Sequence, residues 1–195
     1  LAAALPQGSI ALSTPVQRIT SQEGRWELTL TNERRETFDG LIVATAAPHA
    51  GRVLADVDPE LSGMLQSIEH ASSVVVCLAV EKEGLRRPLD AFGLVSPAVE
   101  GRRLLAVSFA SQKLPGRSPD EIALLRVFMG GRLQPELVDW SDEDLVETAR
   151  DELADLLGLS TAPLTTVVRR WRESMPQYEV GHLGLVDRIE QRVAG

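Results

Sequence analysis

Few residues in this chain have the types and company that chemistry requires. The stretch RWRESMPQYEVGHLGLVDRIE, from Arg170 to Glu190, gathers Trp171, Tyr178 and His182, in a sequence with 3 Trp, 1 Tyr and 3 His. An indole can lie flat against a ring, and a phenol and an imidazole can exchange protons. The rest of the sequence gives them little support. His49, His70 and His182 are scattered, no GxSxG elbow offers a nucleophile, and neither HExxH nor CxxC offers a metal site. Each histidine is read as structural or exposed. The acidic run Asp142, Glu143, Asp144 opens a helix, where the macrodipole accounts for it. No GxGxxG or P-loop is present, and Gly130-Gly131 reads as a turn after a strand. No catalytic residue and no metal ligand is named.

The elements that must position these side chains read as a mixed α+β chain. SIALSTPVQRIT, WELTLT and TFDGLIVAT predict a small β-meander over the first fifty residues, with Trp26, Leu28 and Leu30 alternating against polar neighbours. LIVAT predicts a strand buried on both faces. The small residues of ATAAPHAGRVL lead from it into a helical pattern and permit close approach by another backbone or a ligand. DPELSGMLQSIEH starts a helix, with Asp58 as N-cap and Pro59 in the first turn. SSVVVCLAVE, RRLLAVSFAS and EIALLRVFMGG predict three strands, separated by the loops GLRRPLDAFGLVSPAVEG and QKLPGRSPD. SDEDLVETARDELADLLG predicts a helix with an apolar stripe of Leu145, Val146, Ala149, Leu153, Leu156 and Leu157, closed by Gly158. PLTTVVRRW predicts a last strand and HLGLVDRIEQRV a last helix.

Composition narrows the function classes. Of 195 residues, 44% are apolar and 25% charged, ordinary for a globular protein with a sizeable core. A net charge of -8 without a dense basic run excludes a phosphate track, so no nucleic-acid partner is expected. Apolar runs such as Ser73 to Val80 are strand-sized and too short to span a bilayer. The lone Cys77 rules out an internal disulfide and fits a reducing, cytoplasmic compartment. The chain opens without Met, in what reads as a helix end, which predicts a segment of a longer protein. Spacing alone therefore reaches an α+β domain and leaves its function open, a plain binding module included.

The residues carry more than their spacing. LIVATAAP, AFGLVSP, SFASQKLPGRSPD, LLRVFMGG, DELADLLGL and RWRESMPQYEVGHL occur in one order, and together they resemble the protoporphyrinogen oxidases, within the monoamine-oxidase-like flavoprotein superfamily. The resemblance covers essentially the whole chain. It implies a discontinuous two-domain flavoprotein fold of α+β class, with residues 1–50 a partial FAD-binding domain, 51–170 a partial substrate-binding domain and 171–195 a return segment. It also implies oxidation of protoporphyrinogen IX to protoporphyrin IX with FAD and with oxygen as acceptor. Coproporphyrinogen oxidation on the same fold, or an amine-oxidase or desaturase chemistry, are the alternatives. Peripheral attachment to the inner membrane, through segments outside this chain, stays open. The phosphate-binding glycine turn of that family is missing here, so the chain alone is expected to be inactive and without FAD.

The resemblance assigns positions as well. It implies cofactor contacts at Val16, beside the adenine end of FAD, at Trp171, against the flavin, and at Ala44, Ala46 and Pro48 in the small-residue stretch. It implies substrate contacts at Phe128, stacking on a pyrrole ring, and at Val95 and Ser108, sandwiching another. Ser108 departs from the aliphatic residue usual there, and Lys113 and Leu114 from a usually more apolar loop. Tyr178 and His182 are left with structural roles.

Overall fold

The computed structural model describes residues 2–194. Two compact units are present, Leu1–Glu69 together with Gln177–Gly195, and His70–Pro176. The expected boundaries at residues 50 and 170 differ from these, because two helices after Ala46 join the meander's unit and the last strand runs unbroken to Pro176.

In the first unit, β1 (Val16–Gln22), β2 (Arg25–Leu30) and β3 (Arg35–Phe38) form an antiparallel meander. Ile19 and Leu30 are its buried side chains. Helices α1 (Ala47–Val53) and α2 (Pro59–Gln66) follow. Asp58 caps α2 as expected, accepting from the backbone N–H groups of Glu60 and Leu61 at 3.1 and 3.0 Å. LIVAT departs from expectation. Residues 41–45 are irregular and Ile42 is 91% exposed. A β-branched run becomes a buried strand only where neighbouring strands take its backbone hydrogen bonds, and no described strand pairs with this one.

The second unit is a five-stranded antiparallel sheet and its covering helix. To introduce them in chain order, β4 is His70–Glu81, β5 Gly93–Val95, β6 Leu104–Phe109, α3 Ala110–Lys113, β7 Ile122–Gly130, α4 Asp142–Leu157 and β8 Thr165–Pro176. The sheet order is β5-β6-β7-β4-β8. The edge strand β5 falls where the sequence predicts loop: it has only three residues, one of them Gly93, whose missing Cβ would otherwise lie 2.3 Å from the Val107 carbonyl oxygen. Helix α4 begins at Ser141, whose hydroxyl accepts from the Asp144 N–H at 3.0 Å, and ends at Gly158 with φ 69°.

Alternation then divides the sheet's two faces. Val74, Val76, Leu78 and Val80 on β4, and Leu125, Val127 and Met129 on β7, are buried against Leu145, Ala149, Leu153 and Leu157 of α4. The residues between them point to the opposite face, which α4 does not cover. The last helix, α5 (His182–Val193), belongs to the first unit.

Candidate functional site

Register brings together four of the positions singled out in the sequence. Val95 pairs with Ala106, Ala106 with Phe128, Phe128 with Val75, and Val75 with Arg169. The adjacent row is Gly93, Ser108, Arg126, Cys77 and Val167, and Ser73 pairs with Trp171 two residues further along. Because side chains alternate with period two, Val95, Ser108, Phe128 and Trp171 all stand on the face away from α4. Phe128 and Ser108 are half-buried, while Val95 is 79% and Trp171 54% exposed.

The opening motif RWR is explained by the same alternation. Arg170 reaches under the sheet on the covered side, donating to the carbonyls of Val138 and Trp140 and pairing with Asp142 at the start of α4. Arg172 pairs with Asp139 on that side at 2.8 Å. Two arginines thus fix β8 to the helix start, and Trp171 between them is presented on the other face. A bulge lies just beyond it, with Glu173 at φ 45° and its N–H donating to the Ser72 hydroxyl at 2.9 Å. Bulges of this kind re-aim neighbouring side chains. The Trp171 indole N–H has no hydrogen-bond partner among the described residues, so a half-exposed flat ring with a free donor is available to a planar ligand.

The open face deepens at one end. A cleft of about 490 Å³ lies between it and the segment that follows β6, bounded by Cys77, Ala79, Leu114, Arg117, Arg126 and Val167. That volume falls in the range of small-molecule sites. The Arg126 guanidinium sits 5.2 Å from the centre of the Phe128 ring, a cation–π contact. Neither Arg117 nor Arg126 was singled out from the sequence. Arg126 was legible, since it lies two residues before Phe128 in a strand and must share its face. Arg117 was not, because a loop has no period.

The remaining expected contacts lie in the first unit. Val16 opens β1, half-buried, opposite Leu30. Ala44 and Ala46 are exposed, and Ala46 caps α1, where Pro48 occupies the first turn. Small exposed side chains at a helix entry leave room for a ligand's close approach. Tyr178 and His182 pack ring on ring at 4.6 Å where α5 begins. No group of three or more metal-ligating side chains is found among the described residues, and no described helix is long and apolar enough to cross a membrane.

The family model for flavin-containing amine oxidoreductases matches residues 1–190. The chain belongs to that family. Coproporphyrinogen III oxidase of Mycobacterium tuberculosis is 32% identical over 169 residues, covering 87% of this chain and 36% of the relative. Protoporphyrinogen oxidase 2 of Arabidopsis thaliana is 25% identical over 181 residues, covering 88% and 36%. The chain therefore spans little more than a third of the length of these relatives. Among solved structures, a protein of Exiguobacterium sp. 255-15 superposes with a TM-score of 0.74 at 24% identity, covering 92% of this chain and 39% of that one. A putrescine oxidase variant reaches 0.66 at 16% identity, covering 93% and 40%. These likenesses establish the fold as that of the flavin amine oxidases, and with it the expected α+β class.

Proposed function

We propose that this chain supplies the substrate face of an FAD-dependent porphyrinogen oxidase, which converts a porphyrinogen to its porphyrin with oxygen as the electron acceptor. The observation that carries the reading is the common face of Val95, Ser108, Phe128 and Trp171, open on the side that α4 leaves bare. A tetrapyrrole macrocycle needs such a surface: a broad apolar floor, an aromatic to meet its pyrrole rings, and few polar groups. The family relatives named for porphyrinogen substrates support the same reading.

The roles of individual side chains follow. Phe128 stacks on one pyrrole ring, and Val95 with the neighbouring Ala106 gives apolar contact to another. Ser108 stands in the row of Arg126 rather than in the row of Phe128, which leaves the apolar row intact. Trp171 packs against the flavin. Val16 serves the adenine end of FAD and Ala44, Ala46 and Pro48 lie near the cofactor, so the first unit serves the cofactor, while the second carries the substrate face and, at Trp171, a flavin contact. Bound flavin would supply the redox chemistry, accepting hydride equivalents from the porphyrinogen. The chain's own residues orient the macrocycle and exclude water. Attachment to a membrane surface, where the proposal includes it, rests on segments other than these helices.

The test is purification of the flavin-loaded holoenzyme and a fluorescence assay. A yellow protein that turns porphyrinogen into fluorescent porphyrin supports the reading. A protein that can be neither isolated with nor reconstituted with FAD overturns it.

A further inference from the structure

Trp171 is placed by its backbone rather than by bonds of its own. Its indole N–H has no hydrogen-bond partner among the described residues, and the ring is half-exposed. β8 lies at the sheet edge, paired among the described strands with β4 alone. The ladder is interrupted directly after Trp171: Ser73 pairs with Trp171 and Ala71 with Met175, so residues 172–174 stand opposite Ser72 alone. Within that bulge Glu173 sits at φ 45°, a conformation that a residue other than glycine keeps only where its surroundings impose it.

The contacts that impose it come from the covered side. Arg170 donates through all three guanidinium nitrogens: Nε to the Val138 carbonyl at 3.0 Å, Nη2 to the Trp140 carbonyl at 2.5 Å and Nη1 to the Asp142 carboxylate at 2.5 Å. These acceptors all lie in the short segment that leads into α4, the helix packed on the core. Arg172 is exposed and adds the pair with Asp139. Arg169, on the open face, has no ionic partner among the described residues and donates to the adjacent Val168 carbonyl. The anchoring is thus confined to the two positions that flank Trp171, and Arg170, half-buried with three acceptors, is the stronger anchor. A planar fork that meets three acceptors fixes its strand more tightly than a point charge can.

We propose that Arg170 is a positioning residue for the cofactor: by tying β8 to the start of α4 it sets the phase of the strand at the bulge and so aims the Trp171 indole at the flavin. This rests on the reading above, in which Trp171 packs against the flavin. Arg170 points to the opposite face, so its effect passes through Trp171. A contact surface on a strand is only as well placed as the residues that support it.

The experiment is a double-mutant cycle on the holoenzyme, read as the Kd for FAD and as the fluorescence of bound flavin, which an indole in contact with it quenches. Arg170→Lys keeps the charge but meets fewer acceptors, and should raise the Kd roughly three- to tenfold and brighten the flavin. In a Trp171→Ala background the same change should add less than about twofold, because the residue it acts through is gone. Effects that multiply, or an Arg170→Lys variant with native Kd and emission, overturn the proposal and leave the flavin contact intact. Leu153→Ala, which loosens the core of the same unit and leaves the Arg170 contacts in place, is the control for general destabilisation. An equal rise in Kd there also overturns the proposal. Should Arg170→Lys not fold, Asp142→Asn, which removes the charge of one acceptor, passes through the same cycle and is judged by the same outcomes. Native enzyme without affinity for FAD, or a Trp171→Ala variant that holds flavin as tightly as the native enzyme, overturns the flavin reading itself, and this proposal with it.

Discussion

The carboxylate of Asp58 joins two helices that lie far apart in sequence: Oδ1 caps α2 and Oδ2 receives Arg192 near the end of α5. The hydrogen bond from Arg192, followed by that from the Leu61 backbone, holds the Asp58 carboxyl below its ordinary value of 3.8. The folded state thus binds this proton less tightly than the unfolded chain. The stabilisation is present above the unfolded value and is lost as the pH falls through the lower, folded one. Asparagine caps a helix as well as aspartate, so Asp58→Asn should remove the ion pair and keep the cap. Melting curves should show a Tm lowered by a few degrees at neutral pH and a difference that closes as the pH falls below the ordinary carboxylate value. A difference that persists unchanged in acid would show that the pair is not the cause.

The interior of the second unit depends on α4. Leu153 is fully buried between that helix and the sheet, with Leu145, Ala149 and Leu157 on the same stripe. Leu153→Ala removes side-chain volume where the rigid sheet opposite cannot collapse into the gap. Denaturant unfolding should show a loss of about 2–5 kcal/mol. A loss below ~1 kcal/mol would mean that the helix repacks.

Gly158 closes α4 in the left-handed region, at φ 69°, and a Cβ there would lie 2.6 Å from Cβ of Arg86. Gly158→Ala therefore meets backbone strain and a contact with a side-chain atom close to the main chain. The expected cost is about 1–3 kcal/mol, read from chemical denaturation. Gly101, also at positive φ but with open space around it, is the control, and Gly101→Ala should cost less.

How much of this was legible in the sequence differs by element. The caps at Asp58 and Ser141, the stripe of α4 and its glycine stop are local signals, and each stands where the residues put it. LIVAT misled because its strand signal presupposes neighbours, and Ile42 stands exposed where none of the described strands pairs with it. The candidate site was legible only as separate residues. That Val95, Ser108, Phe128 and Trp171 share a face depends on register between strands distant in sequence, β5 to β6, β6 to β7 and β4 to β8. No local pattern encodes those pairings. The unpaired state of Arg169 was equally hidden, since its neighbours Arg170 and Arg172 look identical to it until their aspartate partners are in place.

Trp171 and Phe128 stand on one face but serve different ligands in the proposed enzyme, and their variants should separate accordingly. Trp171→Ala removes a half-exposed indole whose proposed packing partner is the flavin, so the holoenzyme should lose flavin on gel filtration, with Kd raised roughly tenfold. Phe128→Ala removes the ring beneath Arg126 and the stacking surface for the macrocycle. It should keep its flavin and show a KM for porphyrinogen raised roughly tenfold, with a smaller change in kcat. Flavin content by absorbance and steady-state kinetics on both variants provide the check. If Phe128→Ala loses flavin and Trp171→Ala retains it, the assignment of the two ends of this face is reversed.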